Sequence, residues 1–402
     1  MDKELNIKGL NIKHSFRFIA VLIMMFYFLT SSYAALTGTG SPSDPFIIDE
    51  PQDLVDLRTF VQKAANQGKY IYVKQTADID LTDLSKANGR PPVPLAGTNV
   101  LGVQGRLSQT STYFLGEYDG GGYTISNWRL SKAKQQTTVS TKEYPISLFG
   151  RVGKDGSNVS KIKNLNIDGF DLEMTQTSSG MNVAPGFSFL VSDAKNTEIT
   201  NCHIKNSKVY GVGHFSFGAI AASTLNVTIT DCSVKNCSFD PTNGSQNVGA
   251  FCGSNSGDIK NCFADNVSLN GESYVGGLVG EMNGGTVENC GFNGKIIPSN
   301  SINVSSSGGL CGRINKGSFI NCFSVFDNDG NTWKFATAFG GLVGEVTENA
   351  MMTVKNCYAY TQISVNDADR DNVDFFVGLD NNKEDETKLD LELIGLAAKQ
   401  KK

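Results

Sequence analysis

Ile259-Lys260-Asn261-Cys262, Gly276-Gly277-Leu278-Val279-Gly280 and Val287-Glu288-Asn289-Cys290 follow one another along the chain, and both kinds of segment recur on either side. The Ile/Val-x-Asn/Asp-Cys unit returns as Ile199-Thr200-Asn201-Cys202, Ile229-Thr230-Asp231-Cys232 and Val354-Lys355-Asn356-Cys357. Phe319-Ile320-Asn321-Cys322 is a copy with Phe in first place, and Ile162-Lys163-Asn164-Leu165 an earlier one with Leu for Cys. The steps between successive cysteines are 30, 30, 28, 32 and 35. The glycine segments begin at Gly218, Gly249, Gly276, Gly308 and Gly340, with steps of 31, 27, 32 and 32. Two ladders that keep one period of about 30 residues define a repeat architecture.

Residues 160–360 hold no sustained i, i+3, i+4 apolar pattern, which excludes helical repeats. The apolar positions alternate instead, so that Cys262 and Ala264 share one strand face. The chain has 36 Asn, 30 of them from residue 151 onward, together with 43 Gly. Both residue types tolerate left-handed backbone and suit corners between short strands. These features predict an all-β chain folded as a parallel β-helix, a solenoid with one coil per repeat of about 30 residues and about 4.8 Å between coils. Cys202, Cys232, Cys262, Cys290, Cys322 and Cys357 would form an internal column of small apolar groups.

The repeats resemble the GLUG-repeat family of bacterial secreted and cell-surface proteins, named for motifs such as Gly276-Gly277-Leu278-Val279-Gly280. The likeness extends upstream through Gly40–Ile48, Tyr72–Leu81 and Glu117–Ile125, and covers roughly residues 38–360. It implies a right-handed parallel β-helix and a role at or beyond the cell surface. The copies at 186–191 and 218–222 lack full glycine ladders, and residues 366–402 match no repeat.

Solenoid ends need caps, because unpaired strands there would pair with other chains. Pro51 suits a first helical turn, and Leu54, Leu57, Phe60, Val61 and Ala64 then fall on one face, which predicts a capping helix over Pro51–Gln67. Leu389, Leu391 and Leu393 alternate with charges and suit a closing strand. The expected organisation is a signal peptide at 1–34, an amino-terminal cap segment at 35–70, first coils at 71–160, GLUG-like coils at 161–365 and a carboxyl-terminal cap or tail at 366–402. Lys3, Lys8, Lys13 and Arg17 before the apolar run Phe18–Leu29, then Ser32-Tyr33-Ala34, read as a secretory signal cleaved near Ala34-Ala35. All nine cysteines lie at 202 or beyond, so none offers a lipidation site there. The expected location is secreted or cell-surface, with no transmembrane segment after signal removal.

The formal net charge of −5 argues against nucleic acid as a partner. After signal removal only His203 and His214 remain, with no His-Glu-x-x-His motif, and His203 directly follows a ladder Cys and should point outward. No Cys-x-x-Cys is present either: Cys252 and Cys311 belong to the glycine ladder and Cys237 stands alone. No metal site is assigned. Asp367-Ala368-Asp369-Arg370-Asp371-Asn372 has calcium-loop spacing, but Asn372 and Gly378 stand where Gly and Glu are needed. The acidic clusters Asp78/Asp80/Asp83, Asp367–Asp374 and Glu384–Glu386 do not recur at one phase of the repeat. No catalytic residue and no cofactor is assigned.

Two functions stay open. One is a non-catalytic, adhesin-like binding module for a host glycan or surface protein, with Trp333, Phe335, Tyr358 and Tyr360 as binding candidates. The other is a polysaccharide lyase or glycoside hydrolase acting in a groove along the β-helix.

Overall fold

The structure is a computed structural model, and it describes residues 36–82, 113–130, 147–175, 186–212, 216–243, 245–298, 306–333, 338–365, 373–374, 377–380 and 389–392. The expected signal peptide and its cleavage site, His214, Phe335, the calcium-like segment at 367–372 and the acidic cluster at 384–386 lie outside them.

Among the described residues the fold is all-β with one α-helix, and every paired strand pair is parallel. One repeat makes one rung. The strands Val275–Gly276, Val279–Gly284, Thr286–Glu288 and Gly291–Pro298 form a representative rung, and each pairs with its copies in the rungs before and after. Both ladders read from the sequence are true structural columns. Ile162, Ile199, Ile229, Ile259, Val287, Phe319 and Val354 are successive partners, as are Gly218, Gly249, Gly276, Gly308 and Gly340. Phe46, Val73 and Tyr118 extend the first column upstream, so the segment expected as a cap also supplies a strand, Phe46–Ile48.

The capping helix spans Pro51–Gln62, shorter than the periodicity predicts, because Lys63 turns extended and the Asn66 side chain takes the Phe60 carbonyl at 2.9 Å. Its first turn is held by the Asp53 carboxylate, which accepts the Asp49 and Glu50 amides. Leu54, Leu57 and Val61 are buried, and Phe60 meets Phe46 edge-on. At the other end Leu389–Glu392 pairs with Met352–Lys355 as a further parallel strand.

Asparagine makes the corners. Asn164, Asn201, Asp231, Asn261, Asn289, Asn321 and Asn356 all sit at φ between 52° and 54°, a region costly for residues with a branched β-carbon. Their side chains also stack. Asn356 donates to Asn321, Asn321 to Asn289, Asn289 to Asn261 and Asn261 to Asp231, at 3.0–3.2 Å. A second column runs from Asn266 through Asn236 and Asn206 to Asp168. Every amide points its N–H₂ toward the amino-terminal end, so the dipoles add, and each run finishes on a carboxylate placed at the positive end.

Asp231 has no N–H to pass on and breaks the first column. Asn201 is therefore met by His203 Nε2 at 2.9 Å, while His203 Nδ1 lies 2.8 Å from Ser233 Oγ. The amide assignment puts the proton on Nε2, and burial, which pushes the imidazole below its ordinary pKa, favours the neutral form. His203 points outward as expected, but it is half-buried and bridges a gap in the ladder. Beyond the break, Asn201 donates to Asn164 and Asn164 to Asp119. Burial opposes ionisation of Asp119, but the hydrogen bonds from Asn164 and the Gly121 amide, with Lys163 beside them, hold its carboxyl below the usual range.

The cysteines line the interior behind these corners, all nine buried and unpaired. The backbone N–H of Cys202, Cys232, Cys262 and Cys322 each points at the sulfur of the next ladder Cys, at 3.4–3.5 Å. Cys252 and Cys311 occupy the column of Val279 and Val343 and are equally buried. Hydrogen bonding with Cys262, together with burial, pushes the Cys290 thiol up to about 12. Contact with Cys290 does the same for Cys322, and burial for Cys237.

These thiols should resist alkylation in the native protein and react on unfolding; rapid labelling of the folded chain would refute the interior column. Because Cys237, Cys290 and Cys322 ionise near 9.0 when unfolded and at about 12 when folded, the contribution of these three to stability is complete below pH 9 and is lost as the pH rises from there through 12, measurable by urea titration across that range. Cys290→Asp should cost at least about 3 kcal/mol by burying a charge, whereas Cys290→Val should cost less than about 1.5 kcal/mol. At the corner, Asn289→Val should lose about 2–4 kcal/mol, from two ladder bonds and the left-handed backbone, and Asn289→Gly about 1–2 kcal/mol, from the bonds alone.

Candidate binding faces

The residue after each ladder cysteine points out of the stack. Successive partners in this outer column are Asn166, His203, Ser233, Phe263, Gly291, Phe323 and Tyr358. Polar side chains fill its first half and aromatic ones its second. The Phe263 and Phe323 rings lean together over Gly291, with centroids 5.7 Å apart, although a whole rung separates their strands. Only glycine permits this, since a Cβ at 291 would lie 2.4 Å from the Phe323 ring and 2.9 Å from that of Phe263. Tyr358 then stacks on Phe323 at 5.4 Å and 10°. Phe263 and Tyr358 remain 40% and 46% exposed, unusual values for rings on an otherwise polar flank. Val325 and Tyr360, adjacent partners two residues further along, widen the strip and are half-buried.

Of the four aromatic candidates, Tyr358 and Tyr360 therefore lie on one outer face. Trp333 ends the strand Phe323–Trp333, where its backbone pairs with Val365. Phe339, close to them in sequence, is buried against Phe326. Phe263 and Phe323 carry the strip yet were not singled out from the sequence. The signal was present: Cys262-Phe263, Cys322-Phe323 and Cys357-Tyr358 are the same position of the repeat.

A second outer column belongs to a different strand. Asp193, Ser223, Ser254, Glu281, Arg313 and Glu345 are successive partners. Arg313 lies between two carboxylates, with Nη1 3.7 Å from Glu281 and Nε 3.8 Å from Glu345. Nη1 donates to the Tyr274 hydroxyl at 3.0 Å, and the guanidinium covers the Tyr274 ring at 4.8 Å. Burial raises the Tyr274 pKa, with Arg313 opposing and Glu345 and Glu281 adding, so the phenol stays protonated. Glu281 is saturated: Asn247 and Asn283 donate to Oε2 and Asn315 to Oε1. Glu345 accepts Ser306 through Oε2.

Asp78 and Asp80 act as local structure. Asp78 accepts the Thr124 amide, and Asp80 the Thr82 amide and the Asn127 side chain. Among the described residues no group of three or more His, Cys, Asp or Glu side chains is placed to hold a metal ion, and no helix is long and apolar enough to cross a membrane.

Comparison with known proteins bears out the repeat resemblance: the family model described as the GLUG motif matches residues 271–297, so the chain carries that motif. No curated protein matches the chain. A solved structure of a candidate immunoglobulin A1 protease from Bacteroides ovatus is similar at 17% identity and a TM-score of 0.44, covering 82% of this chain and 79% of that one.

Replacing Gly291 by Val should part the two rings at little cost, because the displaced atoms are the far ends of flexible side chains and Val suits a strand. The ring-to-ring nuclear Overhauser contact between Phe263 and Phe323 should vanish while the melting temperature stays within a few degrees. A retained contact would show that glycine is not what brings the rings together.

Proposed function

We propose that the chain is a right-handed parallel β-helix, secreted or held at the cell surface, that serves as a non-catalytic, adhesin-like binding module for a host glycan or surface protein. The observation that carries this reading is the strip Phe263–Phe323–Tyr358, an apolar line spanning four rungs on a rigid polar flank. Exposed aromatics in a contiguous row supply large contact area at small entropic cost, because the sheet already fixes their backbones. The carried GLUG motif agrees with it, as do the signal-like features of residues 1–34.

The alternative, glycan cleavage in a groove, draws on the Glu281–Arg313–Glu345 column. A general acid or base needs a carboxylate free to exchange a proton with substrate. Three amides already occupy Glu281, which favours a fixed structural or positioning role for it.

The test is the double variant Phe323→Ala, Tyr358→Ala. Both rings are at least partly exposed, so thermal stability should change little, while binding to a glycan array or to host cells should fall by about tenfold or more. A reducing-end release assay runs beside it. Unchanged binding would reject the strip, and multiple-turnover release of sugar ends that Glu345→Gln abolishes would replace a binding module by an enzyme.

A further inference from the structure

A groove of about 600 Å³ opens beside the second outer column, lined by Arg313, Asn315, Glu345, Thr347 and Glu348. Its origin is a bulge. Between the partner pairs Ile314↔Val346 and Lys316↔Met351 one strand advances two residues and the other five, so three extra residues are extruded. Thr347 and Glu348 lie within that extrusion. Bulges of this kind re-aim side chains and concentrate beside functional sites. The same three residues lengthen the step from Cys322 to Cys357 to 35, against 32 for the step before it.

The geometry points to this groove as a subsite for one uncharged sugar residue, which rests on the glycan form of the binding-module reading and adds a second contact on a different strand. Two carboxylates, Glu345 and Glu348, oppose a carboxylated or phosphorylated ligand. Arg313 in the same lining opposes a cation. A vicinal diol suits both, because each hydroxyl donates to a carboxylate and accepts from a guanidinium or amide. The freest acceptor is Glu348, which is exposed with no partner among the described residues, whereas Glu345 has Oε2 engaged by Ser306 and Oε1 ion-paired at 3.8 Å with Arg313, so that only its remaining lone pairs face the groove. Arg313 spends Nη1 on Tyr274 and has Nε buried, which leaves Nη2 for a ligand.

The arginine is also held in place at a cost. Tyr274, on which it stacks, has φ of +29°, and every other non-glycine residue with positive φ among those described is Asn or Asp. Strain of this kind persists where the surroundings over-determine it, as in ligand clamps. Gly312 admits the strained segment, since a Cβ there would lie 2.3 Å from the Tyr274 carbonyl carbon.

The test uses the full chain with glucose and galactose, each beside its uronate and its 2-amino sugar, titrated by isothermal calorimetry. One neutral sugar should bind, with its uronate and its amine at least about tenfold weaker. Glu348→Gln, a change on an exposed side chain, should narrow the preference over the uronate by about tenfold, a readout that a purely structural role would leave unmoved. Absence of binding by both neutral sugars, or a charged form bound more tightly, or a preference untouched by Glu348→Gln, overturns the proposal. Phe323→Ala, Tyr358→Ala should leave this binding intact. Array or cell binding that survives Glu348→Gln together with an unaltered sugar preference removes the groove and spares the module, whereas sugar binding without any array or cell binding does the reverse.

Discussion

Parallel pairing in register is the constraint from which the other features follow. Each strand exchanges backbone hydrogen bonds with the strand one repeat earlier and with the one after, about 4.8 Å away. A residue therefore meets its own copy above and below. Any side chain that packs well against itself is reinforced at every rung, and any that repels itself is penalised just as often. Cysteine, asparagine, glycine and isoleucine satisfy this test in different ways, which is why these residue types recur at fixed positions of the repeat.

The same constraint gives the stack a polarity. Amide columns donate in one direction only, and a carboxylate interrupts rather than continues them, so Asp119, Asp168 and Asp231 mark where runs end. His203 shows how such a break is mended locally, by a ring that can donate on one side and accept on the other. Inside, the ladder thiols also find partners across the rungs, Cys202 donating to the Ile162 carbonyl, Cys232 to that of Ile199 and Cys262 to that of Ile229.

Function, on this reading, sits where the repetition is broken. The aromatic strip depends on one rung offering glycine where its neighbours carry rings. The groove depends on three residues that one strand has and its partner lacks. Both departures leave the hydrogen-bonded frame almost untouched, because the first removes a side chain from an outward position and the second extrudes backbone on the solvent side. A rigid stack can carry such local exceptions at low cost, since each rung is held by two neighbours rather than by a shared globular core.

The period, the all-β character, the inward cysteines and the asparagine corners were legible in the sequence, because one-to-one stacking turns spatial neighbours into residues about 30 apart. Tyr358 and Tyr360 were likewise placed outward by simple alternation from Cys357. The reach of the stack into Phe46, within the segment read as a cap, was not legible, because that strand shares its register without its motif. Nor was the meeting of Phe263 with Phe323, which needs the absence of a side chain at 291 and a lean that no linear pattern encodes. The placing of Arg313 between Glu281 and Glu345 rests on cross-rung register within irregular segments, and the groove on where a strand extrudes its extra length. Sequence spacing counted those extra residues between Cys322 and Cys357, but only the folded pairing decides which side of the sheet they leave by.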